Sequence, residues 1–374
     1  VDGRQATTRA HLAFPGEDRS VIRVGTAHHA PDLMPGHIVI ENLDISGARP
    51  PFAFESPTGP QPYLGMAAGI HVQKGEHIVL RQVALHDCGN GLLVSPLSRE
   101  IRVERCHLFD NGNEGSITEH NAYTEALGMV FEGNYFGPMR ESCLGNNLKD
   151  RSAGLVVRYN WIEGGSRQLD LVDATGNPAL NADARYQNTW VYGNVLLEPE
   201  GAGNSQIVHF GGDSGEESGY RHGTLHFHHN TVLSFRAGAT TVFRLSSGKA
   251  TVDCRNNLFH VTSRQGRLAW MNTQGRLVLG RNWMTQGWVK SVSSFEGSWE
   301  DQDETLSGTD PGFRDVATGD FELTAASPCQ GTALPLDGHL EHPVQQRYRR
   351  HQSLELLEPK ATRARPRPRN LGAQ

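Results

Sequence analysis

The segments "FEGNYF" (131–136), "VVRYNWI" (156–162), "VYGNVL" (191–196), "FHHNTV" (227–232), "CRNNLF" (254–259) and "LGRNWM" (279–284) share one feature. Each places an asparagine (Asn134, Asn160, Asn194, Asn230, Asn257, Asn282) two residues ahead of an apolar anchor. Earlier segments, "VIENLDI" (39–45), "VLRQVAL" (79–85) and "RVERCHL" (102–108), keep the anchor without that asparagine. The anchors are Ile45, Leu85, Leu108, Phe136, Ile162, Leu196, Val232, Phe259 and Met284, spaced by 40, 23, 28, 26, 34, 36, 27 and 25 residues. A unit of this length, lengthened by insertions, is the signature of a repeat architecture. Leucine-rich repeats share the length, but their Leu-x-x-Leu-x-Leu pattern is missing. Apolar residues alternate with period two and are bounded by Gly, Asn and Asp, as in strands.

Composition agrees with an all-β chain. Of 374 residues 42 are glycine and only 20% are charged, and long Leu/Glu/Lys-rich helical stretches are almost absent. The net charge of −6 is asymmetric: residues 346–374 hold eight Lys/Arg against two Asp/Glu, so the remainder carries −12. The basic end, "KATRARPRPRN", is interrupted by proline and nearly free of apolar residues, so residues 336–374 are expected to form a partly disordered tail rather than a nucleic-acid-binding module. Five widely spaced cysteines form no C-x-x-C pair and indicate neither a disulfide framework nor a zinc module. No apolar run approaches the ~18 residues needed to span a membrane. The start, "VDGRQATT", lacks a signal-peptide pattern and reads as processed or truncated.

A second strand in each unit can be written in register: "GIHVQ" (69–73), "GLLVS" (91–95), "NAYTE" (121–125), "NNLKDR" (146–151), "QLDLVD" (168–173), "QIVHFGG" (206–212) and "TVFRLS" (241–246). If Ile70, Leu92, Ala122, Leu148, Leu169, Val208 and Phe243 point inward, alternation sends His71, Leu93, Tyr123, Lys149, Asp170, His209 and Arg244 outward. Stacked about 4.8 Å apart, five successive units from Tyr123 to Arg244 would span about 20 Å, the length of a short oligosaccharide. Flanking positions add Asn121, Glu125, Asn147, Arg151, Gln168 and Asp173. Asp150 strains this register, because it would face inward unless its strand ended at Lys149.

Titratable and carboxylate-binding groups fill this column, whereas an inert solvated ladder would be richer in Thr and Ser. Lys149 and Arg151 are candidates for clamping a carboxylate or abstracting a proton, and Tyr123 and His209 for acid–base work. Asp170, Arg244, Asn147, His120, His71, Asp173 and Glu125 are candidates for binding substrate. Cross-repeat salt bridges from Lys149 or Arg151 to Asp170, Asp173 or Glu125 would be a purely structural use of the same charges, as would a buried, satisfied histidine at His209. The run "HFHHN" (226–230) lacks further ligands at metal spacing. Loops at 50–63, 174–188, 198–205 and 211–223 are expected to wall a cleft.

These features resemble the right-handed parallel β-helix of pectate-lyase-like proteins over roughly residues 20–335. The implied fold is an all-β, single-stranded right-handed parallel β-helix solenoid with inserted loops, one domain over 1–335 closed by "DPGFRDVATGDFELTAASPCQGTA" (310–333). The run "KDRSAGLVVRYNWI" (149–162), with Lys149, Arg151, Arg158 and Asn160, is similar to a Lys-Ser-Ser…Arg-x-Asn run in the alginate lyase and chondroitinase B family. There a lysine is the base, an arginine on the next coil the acid, and calcium in some members neutralises the uronate carboxylate. Here the spacing is two residues longer, so Lys149 and Arg151 compete for the lysine's place, and "QLDLVD" stands where the family has an arginine–histidine pair.

The resemblance implies a secreted or periplasmic, monomeric enzyme acting on a polysaccharide or oligosaccharide, with calcium as an optional cofactor and the metal ligands left open. A lyase acting on a uronate polymer is the leading expectation, with an epimerase sharing its first step. A glycoside hydrolase using Asp170 with Asp173 or Glu125, and a non-catalytic carbohydrate-binding ladder, are the alternatives.

Overall fold

A computed structural model describes residues 7–8, 20–26, 32–56, 58–336, 342–347 and 355–356. Most of the basic end expected to be disordered lies outside them. The fold is all-β, with long runs of parallel strands. No helix among the described residues is long and apolar enough to cross a membrane.

Among the described residues eleven short strands pair in parallel, and nine of them carry the repeat anchors, with Ile45 against Leu85, Leu85 against Leu108, Leu108 against Phe136, and so on through Ile162, Leu196, Val232 and Phe259 to Met284. All nine anchors are buried. The asparagines form a hydrogen-bonded ladder beside them. Asn134 N–H donates to Asn160 Oδ1 (2.9 Å), Asn160 to Asn194 (2.9 Å), Asn194 to Asn230 (3.0 Å), Asn230 to Asn257 (2.8 Å) and Asn257 to Asn282 (3.0 Å). Each side-chain amide also donates to a backbone carbonyl, so buried turn groups that cannot reach water are satisfied. The residue before each asparagine has positive φ, between 50° and 67°. That left-handed residue turns the chain sharply enough for the next side chain to enter the stack.

The larger sheet covers two faces, because strands Asn90–Glu104 and Ala122–Glu132 continue from one to the other. One face stacks Ile40, Leu80, Val103, Phe131, Val157, Val191, Phe227, Cys254 and Leu279 inward. The other stacks Ile70, Leu92, Ala122, Leu148, Leu169, Val208 and Phe243, in the register expected from the sequence. These inward columns meet in one continuous apolar core. Burying them removes roughly 1.5–3 kcal/mol of apolar exposure per large side chain, which is why the register cannot slip by one residue.

Three local features go beyond what the sequence led us to expect. The 174–188 insertion is partly helical: Asn177 caps Pro178–Ala182 by accepting from Leu180 N–H (3.3 Å), and Ala184–Gln187 adds a 3₁₀ turn. The segment expected to close the stack instead forms an antiparallel pair, Phe313–Asp315 with Asp320–Leu323, lying across the outside of the anchor sheet. There Phe321 stacks on Trp161 at 5.3 Å, covering apolar side chains that face outward. Part of the expected tail also docks: Tyr159 Oη donates to the Pro343 carbonyl (3.1 Å) and accepts from Gln345 N–H (3.1 Å).

Candidate functional site

Lateral pairing aligns His71, Leu93, Tyr123, Lys149, Asp170, His209 and Arg244 on the outer side of one sheet face. The strand carrying Lys149 runs Leu148–Asp150, so Asp150 does point inward. It is fully buried in line with Thr124 and Leu171. Its oxygens accept from Thr124 Oγ1 (2.7 Å), Ser152 N–H (2.8 Å), Ser152 Oγ (2.8 Å) and Arg221 Nη2 (3.3 Å). Burial pushes the Asp150 carboxyl upward, and Arg221, Thr124 and Ser152 oppose it. Arg221, itself fully buried, also donates to the Val172 carbonyl (2.8 Å), and its backbone N–H donates to the Gly211 carbonyl (2.9 Å). Both ends of the loop between Gly211 and Arg221 are therefore tied to the stack beneath the outer column.

That loop brings in Asp213. Lys149 Nζ donates to Asp170 Oδ2 (2.9 Å) and to Asp213 Oδ2. Arg151 donates through Nη2 to Asp213 Oδ1 (2.9 Å), through Nε to Tyr123 Oη (3.0 Å), and through Nη1 to the Asp173 carbonyl. Lys149 and Arg151 thus grip one carboxylate between them, in charge-assisted bonds stronger than neutral ones. Asp173 acts from below, accepting the Asp213 N–H (2.8 Å) and Thr175 Oγ1 (2.9 Å).

Asp170 is the hub of the next repeat. Its Oδ2 accepts from Asn146 Nδ2 (2.8 Å) as well as Lys149, and its Oδ1 faces His209 Nδ1 (2.7 Å). Burial pushes the Asp170 carboxyl up, but the His209 bond and the Lys149 charge outweigh burial and hold it well below the usual carboxylate range. Burial pushes His209 down, and Asp170 only partly offsets it. The far nitrogen, Nε2, lies 2.6 Å from Ser246 Oγ. Arg167 lies 3.8 Å from Asp170 Oδ1 and donates to Gln206 Oε1 (2.8 Å). Burial lowers its pKa, and neighbouring Arg244 adds to the shift against Asp170 and Asp213.

Glu125, two residues beyond Tyr123 on the same side of its strand, is half-buried with Oε1 lacking a hydrogen-bond partner among the described residues. Burial pushes its carboxyl up to about 7 despite nearby Arg151. A group so placed is only partly ionised near neutral pH.

Other expected site residues lie elsewhere. Asn147 is fully buried, accepting from Asn121 Nδ2 (2.6 Å) and donating to the Glu163 (2.9 Å) and Gly164 (3.0 Å) carbonyls. With Asn111 and Asn121 it forms a second amide ladder and does not reach the outer face. Gln168 is turned inward likewise, donating to Glu198 Oε2 (2.8 Å). These positions precede the extended strand residues, so strict alternation does not hold for them. His120 is buried with Nδ1 accepting from Asn146 N–H (2.9 Å), and burial, aided by Lys149, takes it down to about 3. That neutral ring supports the Tyr123 ring edge-on, with centroids 5.4 Å apart. His71, two repeats from Tyr123, pairs with Ser95 Oγ (2.9 Å) away from the charged cluster.

Sequence reasoning missed Asp213, Asn146, Arg167, Ser246 and Arg221. Asp213 and Arg221 lay in a loop noted for its length, and Ser246 falls on the outward side two residues after Arg244. Among the described residues no group of three or more His, Cys, Asp or Glu could hold a metal ion, the 226–230 histidines included. The Asp170 oxygens are committed to Lys149, Asn146 and His209 and those of Asp213 to Lys149 and Arg151, cations that would repel calcium, so these carboxylates do not fit that ion. A cavity of about 360 Å³ lined by Trp161, Leu197, Phe235 and Phe321 lies outside the anchor sheet, away from this cluster. No protein-family model matches the chain, and no curated protein matches it.

Proposed function

We propose that the parallel sheets form a right-handed single-stranded parallel β-helix, and that the Tyr123–Arg244 face is the active site of a lyase acting on a uronate-containing polysaccharide. The observation that carries this reading is the carboxylate clamp. Lys149 and Arg151 already hold the Asp213 carboxylate, a group of the same chemistry as a uronate, on a loop residue with a side chain 31% exposed. A sugar carboxylate that replaced Asp213 would meet two fixed cations.

Neutralising that carboxylate lowers the barrier to removing the adjacent C5 proton. Tyr123 Oη, in its deprotonated form, takes the proton, with Arg151 Nε stabilising charge on the phenolic oxygen. The C5–H electron pair becomes the C4=C5 double bond as the C4–O bond breaks, and Glu125 donates its proton to the departing oxygen. On this reading the enzyme meets its polymeric substrate outside the cytoplasm, secreted or periplasmic.

Hydrolysis by a carboxylate pair remains the second reading, favoured by the raised pKa of Glu125. Asp170 suits the partner role poorly, since both its oxygens are committed. Incubation with acidic and neutral polysaccharides, following the unsaturated-uronate chromophore alongside reducing ends, separates the cases. Chromophore on an acidic polymer supports the lyase, and reducing ends without it support hydrolysis. Binding without either product supports a carbohydrate-binding surface.

A further inference from the structure

We propose that Ser246, His209 and Asp170 form a second, nucleophilic site on this face that hydrolyses carboxylic esters. Ser246 Oγ lies 2.6 Å from His209 Nε2, and His209 Nδ1 lies 2.7 Å from Asp170 Oδ1. Proton positions follow from the partners. Asp170 is ionised and can only accept, so Nδ1 carries the hydrogen, leaving Nε2 to accept the serine proton. Lys149 and Asn146 hold the other Asp170 oxygen and fix the carboxylate against the imidazole. Nucleophile, base and orienting acid thus stand in the order that acyl transfer requires.

Accessibility is graded the same way. Asp170 and His209 are buried, whereas Ser246 is half-buried and meets solvent. Gly211 leaves room beside the serine, since a β-carbon there would lie 3.1 Å from Ser246 Cβ.

A serine that served only to satisfy a buried histidine would not explain Arg244. This residue pairs laterally with His209 and lies two positions before Ser246 on the same side. Its Nε is buried without a hydrogen-bond partner among the described residues. The Ser246 N–H is spent on the Phe210 carbonyl (3.1 Å), and in the proposed site the Arg244 guanidinium takes the part of donor to a developing oxyanion.

In the first step Ser246 Oγ bonds to the acyl carbon while His209 Nε2 takes its proton. The ester C–O bond breaks, and the alcohol leaves with that proton. Water, giving a proton to His209, then attacks the acyl carbon, releases the carboxylic acid and restores Ser246–OH. The acyl chemistry stands on this geometry alone. That the alcohol is a sugar hydroxyl of an acylated polysaccharide rests on the reading above.

The test treats the full chain with a fluorophosphonate probe and, separately, with p-nitrophenyl acetate. Expected is a single adduct mapping to Ser246, with ester turnover lowered about 10²–10⁴-fold in Ser246→Ala and in His209→Gln. Denaturation midpoints of both variants, measured alongside, separate lost chemistry from the modest destabilisation expected when buried His209 loses its serine partner. No adduct at Ser246, or equal turnover in wild type and Ser246→Ala, overturns the proposal. The two readings fail separately: Ser246→Ala should still form unsaturated uronate, and Tyr123→Phe should still turn over the ester.

Discussion

Asp150 and Arg221, 71 positions apart in the chain, form an ion pair with both side chains wholly buried and an Nη2–Oδ1 distance of 3.3 Å. The pair lies directly beneath the Lys149–Arg151 clamp. It anchors the loop from which Asp213 reaches that clamp.

Removing one partner would leave a buried charge without its counter-ion. Asp150→Ala and Arg221→Ala should each lower stability by about 3–5 kcal/mol, whereas Asp150→Leu with Arg221→Met should recover most of the loss. Denaturant titration of the three variants checks this. Equal losses in the single and double variants would show that the pair is not the source of the effect.

The asparagine ladder should be costly to interrupt. Asn194 Oδ1 accepts from Asn160 N–H (2.9 Å) and Asn160 Nδ2 (2.9 Å), and Asn194 Nδ2 donates to the Val157 carbonyl (2.9 Å). Asn194→Ala strands several of these groups without water, so a loss of roughly 2–4 kcal/mol is expected by denaturant titration.

Asp213 competes with substrate for Lys149 and Arg151 in the proposed lyase. Asp213→Ala should lower KM for an acidic oligosaccharide about two- to fivefold, as fits partly exposed ion pairs worth up to about 1 kcal/mol. Steady-state kinetics decide it, and an unchanged KM with collapsed kcat would instead make Asp213 part of the chemistry.

Glu125 sets a pH limb. Its folded pKa is raised to about 7, above the ordinary value, so its contribution to stability is full below the unfolded pKa near 4.3 and declines as pH rises toward 7. As proton donor it should also make kcat/KM fall above about pH 7. Glu125→Gln should flatten both dependences, gaining relative stability at alkaline pH while losing about 10²–10⁴-fold in rate.

Asp170 has the opposite sign. Its folded pKa is depressed, so its stabilising contribution is full above the unfolded value near 3.9 and is lost as pH falls through the folded one. The stability gap between wild type and Asp170→Asn should therefore stay constant above about pH 5 and shrink below about pH 4. Denaturation midpoints measured across that range would show it.

Much of the stack was legible because its determinants are short in range. The anchors, the asparagines and the alternation of Ile70, Leu92, Leu148, Leu169 and Val208 appear within six-residue windows, and apolar burial punishes a one-residue slip. The outward column from Tyr123 to Arg244 followed from the same alternation. Asn147 and Gln168 were misplaced because they lie just before the extended strands, where the side chain turns inward to satisfy backbone carbonyls.

By itself the sequence determined the repeat, the inward apolar columns and the set of charged residues sharing one face, since each depends on local period and on neighbours one repeat away. Tertiary structure alone decided what those charges do. Loop 211–223 returns over the column to bring Asp213 to Lys149 and Arg151 and Arg221 to Asp150, while Ser246 meets His209 from the adjoining strand's end. Ion pairs and hydrogen bonds act over a few ångströms in space and leave no periodic trace along the chain.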